Sequence, residues 1–497
     1  MPFVVAIDQG TTGTTVLVFD RRGNVAGRAY REFTQHYPKP GWVEHDPEEI
    51  WQVTLKVLRA ACRKAGARGR DVVALGITNQ RETTVLWDRG TGKPLHRAIV
   101  WQDRRTADAC AALRDRGLED LVRRKTGLVL DPYFSGTKLR WLLEAIPHAA
   151  ERAHRGELCF GTIDSWLLWK LTGGEEHATD PTNASRTLLC DIRTRTWDPE
   201  LCDLLGVPMA VLPVIRPSSG VFGHATADVL GSPVPVAGIA GDQQAALFGQ
   251  GCVEEGMCKN TYGTGCFLLL HTGEKPVASG RGLLTTVACD AAGQPAYALE
   301  GSVFIAGAAI QWMRDELGLL GKAAESERLA RTVDSALGVY LVPAFVGLGA
   351  PYWDAAARGA LVGLTRGVTR AHLVRAALES LAFQTRDVVD AMAADAGAPL
   401  RALRVDGGAS ANDFLMQFQA DVLGVPVERP VLIETTAMGA ACLAGLGTGF
   451  WRSPAELRAA RRIDKRFRPR MKGEVRDGLY RGWLDAVDRV RTTRPTA

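Results

Sequence analysis

The sequence predicts an α/β protein made of two similar domains that face each other across a cleft. Its 497 residues exceed what one hydrophobic core usually holds and suit two large domains. A Gly/Thr-rich turn between two apolar strands occurs at residues 3–20 and again at residues 260–270. Because each hairpin opens one half of the chain, we expect the domains to be residues 1–250 and 251–497.

The first hairpin runs from a strand at residues 3–7 to a strand at residues 16–19 through DQGTTGTT. Gly10 and Gly13 allow backbone amides to approach an anion, and Thr11, Thr12, Thr14 and Thr15 add hydroxyl donors. Asp8 ends the first strand, where a carboxylate is well placed to hold Mg²⁺. Alone, the pattern fits an ordinary hairpin equally well. Its repetition in NTYGTGCFLLL at residues 260–270 favours two phosphate-binding hairpins around one nucleotide.

Composition excludes several classes of protein. Lys and Arg exceed Asp and Glu by only five residues, without a strong basic block, so nucleic acid is not an expected partner. No apolar run reaches the length of a membrane span, and Asp8 interrupts the N-terminal apolar run, so no signal peptide is expected. The ten cysteines show no C-x-x-C pair and no zinc-ligand spacing. They are expected to be buried reduced thiols of a cytoplasmic protein.

Polar residues follow two predicted buried strands, where open α/β sheets bind ligands. Arg81 and Glu82 follow the strand at residues 72–77 and suit either of two interpretations, hydroxyl recognition or a surface ion pair. Their adjacency alone favours the surface ion pair. Trp101 ends a further strand, where an aromatic residue is more often core than ligand wall. Asp242 follows the strand at residues 234–240 and suits metal binding, base catalysis or an N-cap.

The remaining pattern predicts mainly helices. In the first half we expect helices at residues 48–65, with Asp46 as N-cap, and at residues 107–124, and a helix at residues 166–171 capped by Asp164. In the second half we expect helices at residues 303–317, where Gln311 can reach a ligand, and at residues 373–392, 412–423 and 435–446. The last of these is rich in small residues and suited to close packing. A diglycine, Gly407-Gly408, joins a strand at residues 403–405 to the helix at 412–423 and suits a nucleotide base or phosphate.

Neither common glycine-rich phosphate loop is present. No G-x-x-x-x-G-K-[ST] motif occurs, and no G-x-G-x-x-G follows a strand in a βαβ unit. The phosphate site is therefore expected to be of the hairpin kind.

Together these motifs resemble the actin-like (ribonuclease H-like) ATPase architecture and, more closely, the glycerol kinases of the FGGY carbohydrate kinase family. The resemblance covers roughly residues 3–467 and rests on eight segments: DQGTT, PGWVEHDP, GITNQRETT, DPYFSGTK, GIAGDQQAALFGQ, KNTYGTGCF, PAFVGLGAPYWD and RVDGGA. It implies phosphorylation of glycerol to sn-glycerol 3-phosphate by ATP and Mg²⁺ in a catalytic cleft between two actin-like domains. It also implies a homodimer or homotetramer.

The resemblance further implies a role for each matching residue. Asp242 is the expected general base and Asp8 the expected Mg²⁺ ligand. Glycerol is expected to contact Arg81, Glu82, Trp101, Tyr133, Asp242, Gln243 and Phe267. ATP is expected to contact Thr11, Thr12, Gly13, Thr264, Gly265, Gly307, Gln311, Gly408 and Asn412.

Some positions depart from the family pattern. Many relatives have Ser-Ser-Arg where this chain has Gly13-Thr14-Thr15, so a phosphate-facing arginine is missing at Thr15. Residues 224–235 lack the Arg or Lys that binds fructose 1,6-bisphosphate in some relatives, which predicts a less regulated enzyme.

Two alternatives stay open. One is a kinase of the same family that acts on another small polyol or ketose, and the other is a non-enzymatic protein driven by ATP.

Overall fold

The computed structural model describes residues 1–453, 455–457 and 461–492. The first half is built on a six-stranded sheet. In chain order its strands and the short strands around it are β1 (Phe3–Gln9), β2 (Gly13–Phe19), β3 (Val25–Glu32), β4 (Glu44–His45), β5 (Val72–Asn79), β6 (Val85–Asp88), β7 (Ala98–Ile99), β8 (Leu158–Gly161), β9 (Ala178–Thr179), β10 (Cys190–Asp191), β11 (Thr196–Trp197), β12 (Val214–Ile215), β13 (Ser219–Ala225) and β14 (Val234–Gly241).

The helices of this half cover the sheet and fill the region between its strands. They are α1 (Pro47–Ala65), α2 (Ala107–Asp115), α3 (Glu119–Thr126), α4 (Ser135–Ala145), α5 (Ala149–His154), α6 (Ile163–Leu171), α7 (Pro181–Ala184), α8 (Pro199–Leu205), α9 (Ala227–Leu230) and α10 (Asp242–Gly249). As predicted, Asp46 caps α1, and its carboxylate accepts hydrogen bonds from the amides of Glu48 and Glu49.

The second half is built on a seven-stranded sheet. Its strands are β15 (Cys258–Tyr262), β16 (Cys266–Gly273), β17 (Leu284–Cys289), β18 (Pro295–Val303), β19 (Tyr340–Val342), β20 (Ala360–Val362), β21 (Leu403–Asp406), β22 (Val427–Pro430) and β23 (Ile463–Phe467), of which β19 and β20 pair apart from the sheet. Its helices are α11 (Gly307–Asp315), α12 (Glu325–Ala330), α13 (Arg370–Ala396), α14 (Asp413–Leu423), α15 (Thr435–Gly447) and α16 (Gly473–Asp488).

The two sheets repeat one topology. The first has the order β13-β14-β5-β1-β2-β3, and the second, taken from its far edge, has the order β23-β22-β21-β15-β16-β18-β17. In both, the first strand of the Gly/Thr hairpin pairs in parallel with the inner neighbour, β5 or β21, and antiparallel with its hairpin partner. This repeat confirms the prediction of two similar halves.

Helix α15 belongs to the second half in sequence but packs on the sheet of the first. Its small residues make this possible, because a Cβ added at Gly76 in β5 would lie 2.2 Å from the Ala440 carbonyl oxygen, and one at Gly439 would lie 1.8 Å from the Ala245 carbonyl oxygen. The alanines of α15 join Val4, Ala6 and Ala74 in one core cluster. The predicted close packing is confirmed, and it fixes the second half against the first.

Three predicted helices differ in the structure. Residues 300–303 belong to β18, which pairs with β16 and β17, so the helix predicted from residue 303 begins only at Gly307. The predicted helix at 107–124 is divided into α2 and α3 at Gly117, whose φ is +75°. Asp164 lies inside α6, whose N-cap is Thr162. The carboxylate of Asp164 accepts hydrogen bonds from the hydroxyls of Thr162 and Thr179 and does not cap the helix. None of the helices among the described residues has the length and apolar character that a bilayer crossing requires.

Candidate active site

The carboxyl ends of three parallel strands bring the predicted polar residues to one edge of the first sheet. Asp8 pairs with Thr78, and Gly241 pairs with Asn79, so β1, β5 and β14 end side by side. Asp242 follows β14 directly and Arg81 lies two residues after β5, and the nitrogen Nε of Arg81 lies 3.2 Å from Oδ1 of Asp242. The structure therefore assembles the predicted strand-end site.

Arg81 is the centre of this site. Its side chain is only 2% exposed, and Asp242 beside it is 30% exposed. Both terminal nitrogens of Arg81 bind Glu300, at 2.6 and 2.9 Å, and Nη2 lies 3.5 Å from the hydroxyl of Tyr133. The alternative of a surface ion pair between Arg81 and Glu82 is wrong, because both residues are buried.

Glu82 is held in an unusual backbone conformation, with φ of +61°. Its carbonyl oxygen accepts hydrogen bonds from the hydroxyls of Ser135 and Thr84. Its carboxylate accepts a hydrogen bond of 2.7 Å from Nε of Arg186. Burial raises the pKa of Glu82, against the attraction of Arg81 and Arg186. The orientation of this carboxylate is therefore set by its neighbours.

Asp242 is partly exposed and lies near charged groups from both halves. It begins α10, where its Oδ1 accepts from the Gln243 amide at 2.7 Å. Burial raises the pKa of Asp242, against the attraction of Arg81 and Lys259. The Lys259 ammonium, from β15 of the second half, donates to Oε1 of Gln243 at 2.5 Å. The site thus contains a carboxylate whose proton affinity is raised, beside fixed cations from both halves.

Aromatic side chains form one wall of the site. The indole N–H of Trp101 donates to the Thr11 hydroxyl at 2.9 Å, and its ring meets Tyr133 edge to face at 5.6 Å. Both residues are half-buried, so Trp101 borders the site and does not lie in the core. Phe267 is half-buried in β16, beside Ser302 of β18.

The first hairpin presents Asp8 and the Gly10–Gly13 turn at the same edge. The Gly10 amide donates to the Gly13 carbonyl at 2.9 Å, which closes the turn and leaves Thr12 exposed. Within the described part of the chain, no donor reaches the Asp8 carboxylate, and burial together with the charges of Asp242 and Glu434 raises the pKa of Asp8 to about 7. The expectation for Thr14 was wrong, because its buried hydroxyl lies 3.4 Å from that of Thr54 in α1.

The second hairpin is clamped against the start of α11. The amides of Ala306 and Ala308 donate to the Thr264 carbonyl, and the Gly307 amide donates to the Gly263 carbonyl at 3.0 Å. A Cβ at Gly265 would lie 2.4 Å from the Val303 carbonyl oxygen, and one at Gly307 would lie 2.5 Å from the Gly263 carbonyl oxygen. Gly265 and Gly307 are thus explained by packing of the backbone, and Thr264 is exposed on the turn.

The other predicted nucleotide contacts lie around this hairpin. Gly407 touches it directly, because an added Cβ would lie 2.4 Å from the Tyr262 carbonyl oxygen, whereas the space beside Gly408 is open. Gln311 is exposed on α11. Asn412 is the N-cap of α14, where its side chain accepts from the Leu415 amide at 2.9 Å.

Three charged residues of the site were missed by the sequence analysis: Lys259, Arg186 and Glu300. Each is fully buried. A signal was present, because Glu300 and Lys259 are single charges in otherwise apolar or polar-uncharged strands, and a buried charge requires a partner. The sequence does not show which charges pair, since Arg186 and Glu300 are separated by 114 residues.

Comparison with known protein families gives consistent matches. Residues 3–249 match the N-terminal domain of the FGGY family of carbohydrate kinases, and residues 258–448 match its C-terminal domain. The chain is 60% identical over 490 residues to a glycerol kinase of Carboxydothermus hydrogenoformans, with 98% of each chain covered. It is 61% identical over 487 residues to one of Dechloromonas aromatica, covering 98% of this chain and 97% of that protein.

Solved structures agree. The crystal structure of Plasmodium falciparum glycerol kinase with ADP gives a TM-score of 0.93 at 37% identity and covers 99% of both chains. A xylulose kinase from Rhodospirillum rubrum gives a TM-score of 0.85 at 27% identity and covers 98% of both chains. These similarities extend over both halves of the chain.

Proposed function

Because the chain belongs to the FGGY family of carbohydrate kinases, we propose that it transfers the γ-phosphoryl group of ATP to glycerol, giving sn-glycerol 3-phosphate. The observation that carries this proposal is the contact of 3.2 Å between the buried Arg81 guanidinium and the partly exposed Asp242 carboxylate. In the proposal, Arg81 binds a substrate hydroxyl and Asp242 beside it accepts the hydroxyl proton. About 60% identity to glycerol kinases along nearly the whole chain supports glycerol as the substrate.

In this proposal one set of residues holds the polyol. Arg81 donates to the hydroxyls from Nε and Nη2, the nitrogens that face Asp242 and Tyr133, and Glu82, Tyr133 and Gln243 complete the polar contacts. Trp101 and Phe267 cover the carbon chain. An alcohol is a weak nucleophile, so Asp242 accepts its proton as the bond to phosphorus forms. The raised pKa of Asp242 strengthens it as a base.

The two hairpins hold the nucleotide. Thr11, Thr12 and Gly13 approach the phosphates from the first half, and Thr264 and Gly265 approach them from the second. Gly307, Gln311, Gly408 and Asn412 contact ATP further out. The open space beside Gly408 supports close approach of a ligand to the backbone.

Asp8 suits a role in holding Mg²⁺. No group of three or more His, Cys, Asp and Glu side chains able to hold a metal occurs among the described residues. Mg²⁺ in phosphoryl-transfer sites needs only one or two carboxylates beside the phosphates, so the Asp8 carboxylate without a donor fits this requirement. When bound, Mg²⁺ neutralises charge on the phosphates. Burial, together with the charges of Asp242 and Glu434, raises the pKa of Asp8, and a cation held there would favour the ionised carboxylate.

The second candidate is phosphorylation of another small polyol or a ketose. The similarity to the Rhodospirillum rubrum xylulose kinase favours keeping this alternative. The aromatic wall of Trp101 and Tyr133 argues for a small substrate.

The test is ADP formation from ATP and Mg²⁺ with glycerol, xylulose and a panel of polyols, for the wild type and Asp242→Asn. We expect saturable turnover with glycerol and a loss of roughly 100- to 10,000-fold in the variant, the size of a lost general base. Asp387→Asn is the control, since Asp387 is a buried acid that binds Tyr480 and Trp483 away from the cleft. Turnover with xylulose and not glycerol would support the second candidate, and unchanged turnover in Asp242→Asn would exclude Asp242 as the base.

Three further expectations belong to the proposal. The domains divide as residues 1–250 and 251–497, the active form is a homodimer or homotetramer, and the enzyme acts in the cytoplasm. The ten cysteines support the last, because all are buried free thiols.

A further inference from the structure

Four charged side chains form a closed, buried network beneath the candidate polyol site. Glu300 binds Arg81 through two hydrogen bonds of 2.6 and 2.9 Å, and Oε1 of Glu300 also accepts from Nη2 of Arg186 at 3.0 Å. Arg186 in turn donates from Nε to Oε1 of Glu82 at 2.7 Å, and that oxygen lies 3.8 Å from Nε of Arg81. No member is more than 2% exposed.

The network joins the two halves of the molecule. Arg81, Glu82 and Arg186 come from the first half, and Glu300 lies in β18 of the second. The halves also meet around it, where the hydroxyl of Tyr297 donates to the Ile192 carbonyl at 2.8 Å. The orientation of the polyol-binding pair therefore depends on a residue from the opposite domain.

We propose that Glu300 and Arg186 are positioning residues that fix Arg81 and Glu82 for recognition of the substrate hydroxyls. This inference rests on the proposed function, since it concerns the same polyol site. The two-point bond from Glu300 fixes the guanidinium plane of Arg81, so that Nε faces Asp242 and Nη2 faces Tyr133. Arg186 does the same for Glu82, whose left-handed backbone conformation is held only by its surroundings.

The arrangement fits a positioning role better than a purely stabilising one. Buried ion networks contribute little net stability, because desolvation offsets much of the attraction. Nη1 of Arg186 is buried without a hydrogen-bond partner among the described residues, so the network leaves one donor unsatisfied. Against the cost of burial, Arg186 and Arg81 hold the pKa of Glu300 at about 2, so Glu300 stays ionised throughout the working pH range.

The test compares Glu300→Gln and Arg186→Lys with the wild type, using the polyol that the wild type phosphorylates fastest. Both changes keep most of the side-chain volume, but Gln loses the charge, and Lys has a single ammonium in place of the two separate nitrogens through which Arg186 binds Glu82 and Glu300. For glycerol, we expect KM to rise at least tenfold while KM for ATP changes less than threefold. We also expect the preference for glycerol over propane-1,2-diol, measured as the ratio of kcat/KM values, to fall at least tenfold. The reason is that misplaced donors no longer form a hydrogen bond to the hydroxyl that glycerol has and propane-1,2-diol lacks.

Glu379→Gln is the matched control. Glu379 is also buried and binds an arginine, Arg375, at 2.8 Å, but it lies inside α13. We expect Glu379→Gln to lower the melting temperature without changing KM for glycerol or the preference for glycerol over propane-1,2-diol. Neither quantity depends on the fraction of the enzyme that is folded. The proposal is overturned if Glu300→Gln and Arg186→Lys behave like this control. If the proposed function is wrong, the wild-type enzyme does not phosphorylate glycerol, which is a separate result. The two variants are then compared with the wild type on the polyol that it does phosphorylate and on an analogue of that polyol that lacks one hydroxyl.

Discussion

The two Gly/Thr hairpins occupy equivalent places in two similar sheets, yet they carry different chemistry. Asp8 in β1 pairs with Thr15 and Thr78, and the equivalent residue in β15, Thr261, pairs with Phe267 and Asp406. Two residues before the first glycine of the turn, the first hairpin therefore has an acid where the second has a hydroxyl. Both turns are nevertheless closed by a glycine amide that donates to a glycine carbonyl.

The outer strands show the same difference. Asp242 follows β14 in the first half, whereas the corresponding strand of the second half, β22, is followed by Val431, which is 57% exposed. The shared topology thus supplies two similar backbone turns, whereas the strand-end acids Asp8 and Asp242 belong to the first half. The second half contributes buried charges, Lys259 and Glu300, that reach into the site of the first.

The largest expected effect comes from removing the acid of the first hairpin. Asp8→Asn should lower kcat by about 100-fold or more, comparable to losing one charge-stabilising contact in a transition state. It should also raise the Mg²⁺ concentration needed for half-maximal rate. Measurement of kcat against Mg²⁺ at saturating ATP and glycerol checks both.

Asp406→Asn is the control for this comparison. Asp406 is a buried acid of the second half, and it accepts hydrogen bonds from Gln250 at 2.9 Å and Thr435 at 2.6 Å. Its replacement should cost about 1–3 kcal/mol of folding free energy without a change in Mg²⁺ dependence. Equal Mg²⁺ effects in the two variants would mean that the halves share the metal site.

In both hairpins the second turn glycine should be the more sensitive to added volume. A Cβ at Gly265 would lie 2.4 Å from the Val303 carbonyl oxygen and one at Gly13 would lie 2.7 Å from the Arg31 carbonyl oxygen, so the backbone must move in each case, and we expect a loss of about 1–3 kcal/mol. At Gly10 and Gly263, the first glycines of the two turns, the nearest atoms are 3.3 and 3.6 Å away, and the loss on replacement by Ala should stay below about 1 kcal/mol. Urea unfolding of the four Ala variants measures the difference. A small loss for Gly13→Ala beside a large one for Gly265→Ala would show that the second turn is the tighter one.

The pH dependence of unfolding, measured without nucleotide, reports the contribution of Asp8, the acid of the first hairpin, to stability. The Asp8 carboxyl has its ordinary pKa of 3.8 when unfolded and about 7 when folded, so the folded state binds more protons between these values. Its contribution to stability is therefore present near pH 4 and is lost as the pH rises through 7. We expect the wild type to lose about 1–2 kcal/mol more than Asp8→Asn between pH 5 and 8, after allowance for solvent at the cleft. Urea unfolding at several pH values checks this, and parallel curves would show that Asp8 is ionised in the folded protein.

Much of this architecture is predictable from the sequence because it depends on local patterns. The hairpins, the strand-end position of Arg81 and Asp242, and the small residues of α15 are visible as motifs. The boundary between β18 and α11 is not, because pairing of β18 with two neighbouring strands overrides its helical pattern. The burial of the Arg81–Glu82 pair is also not local, since it depends on Glu300 from the other half and on Arg186 from a distant loop.

The smallest expected effect concerns the hydrogen bond that joins the first hairpin turn to the aromatic wall. Trp101→Phe removes the hydrogen bond of 2.9 Å to Thr11 but keeps an aromatic ring, and we expect KM for glycerol to rise roughly two- to tenfold, as for a loss of about 0.5–1.5 kcal/mol. Trp87→Phe is the control, since the indole N–H of this buried residue has no partner within the described chain. It should affect stability and leave KM unchanged. If KM for ATP rises in Trp101→Phe together with KM for glycerol, the hydrogen bond positions the phosphate turn as well as the polyol, and the first hairpin couples the two substrates in a way that the second, clamped to α11, does not.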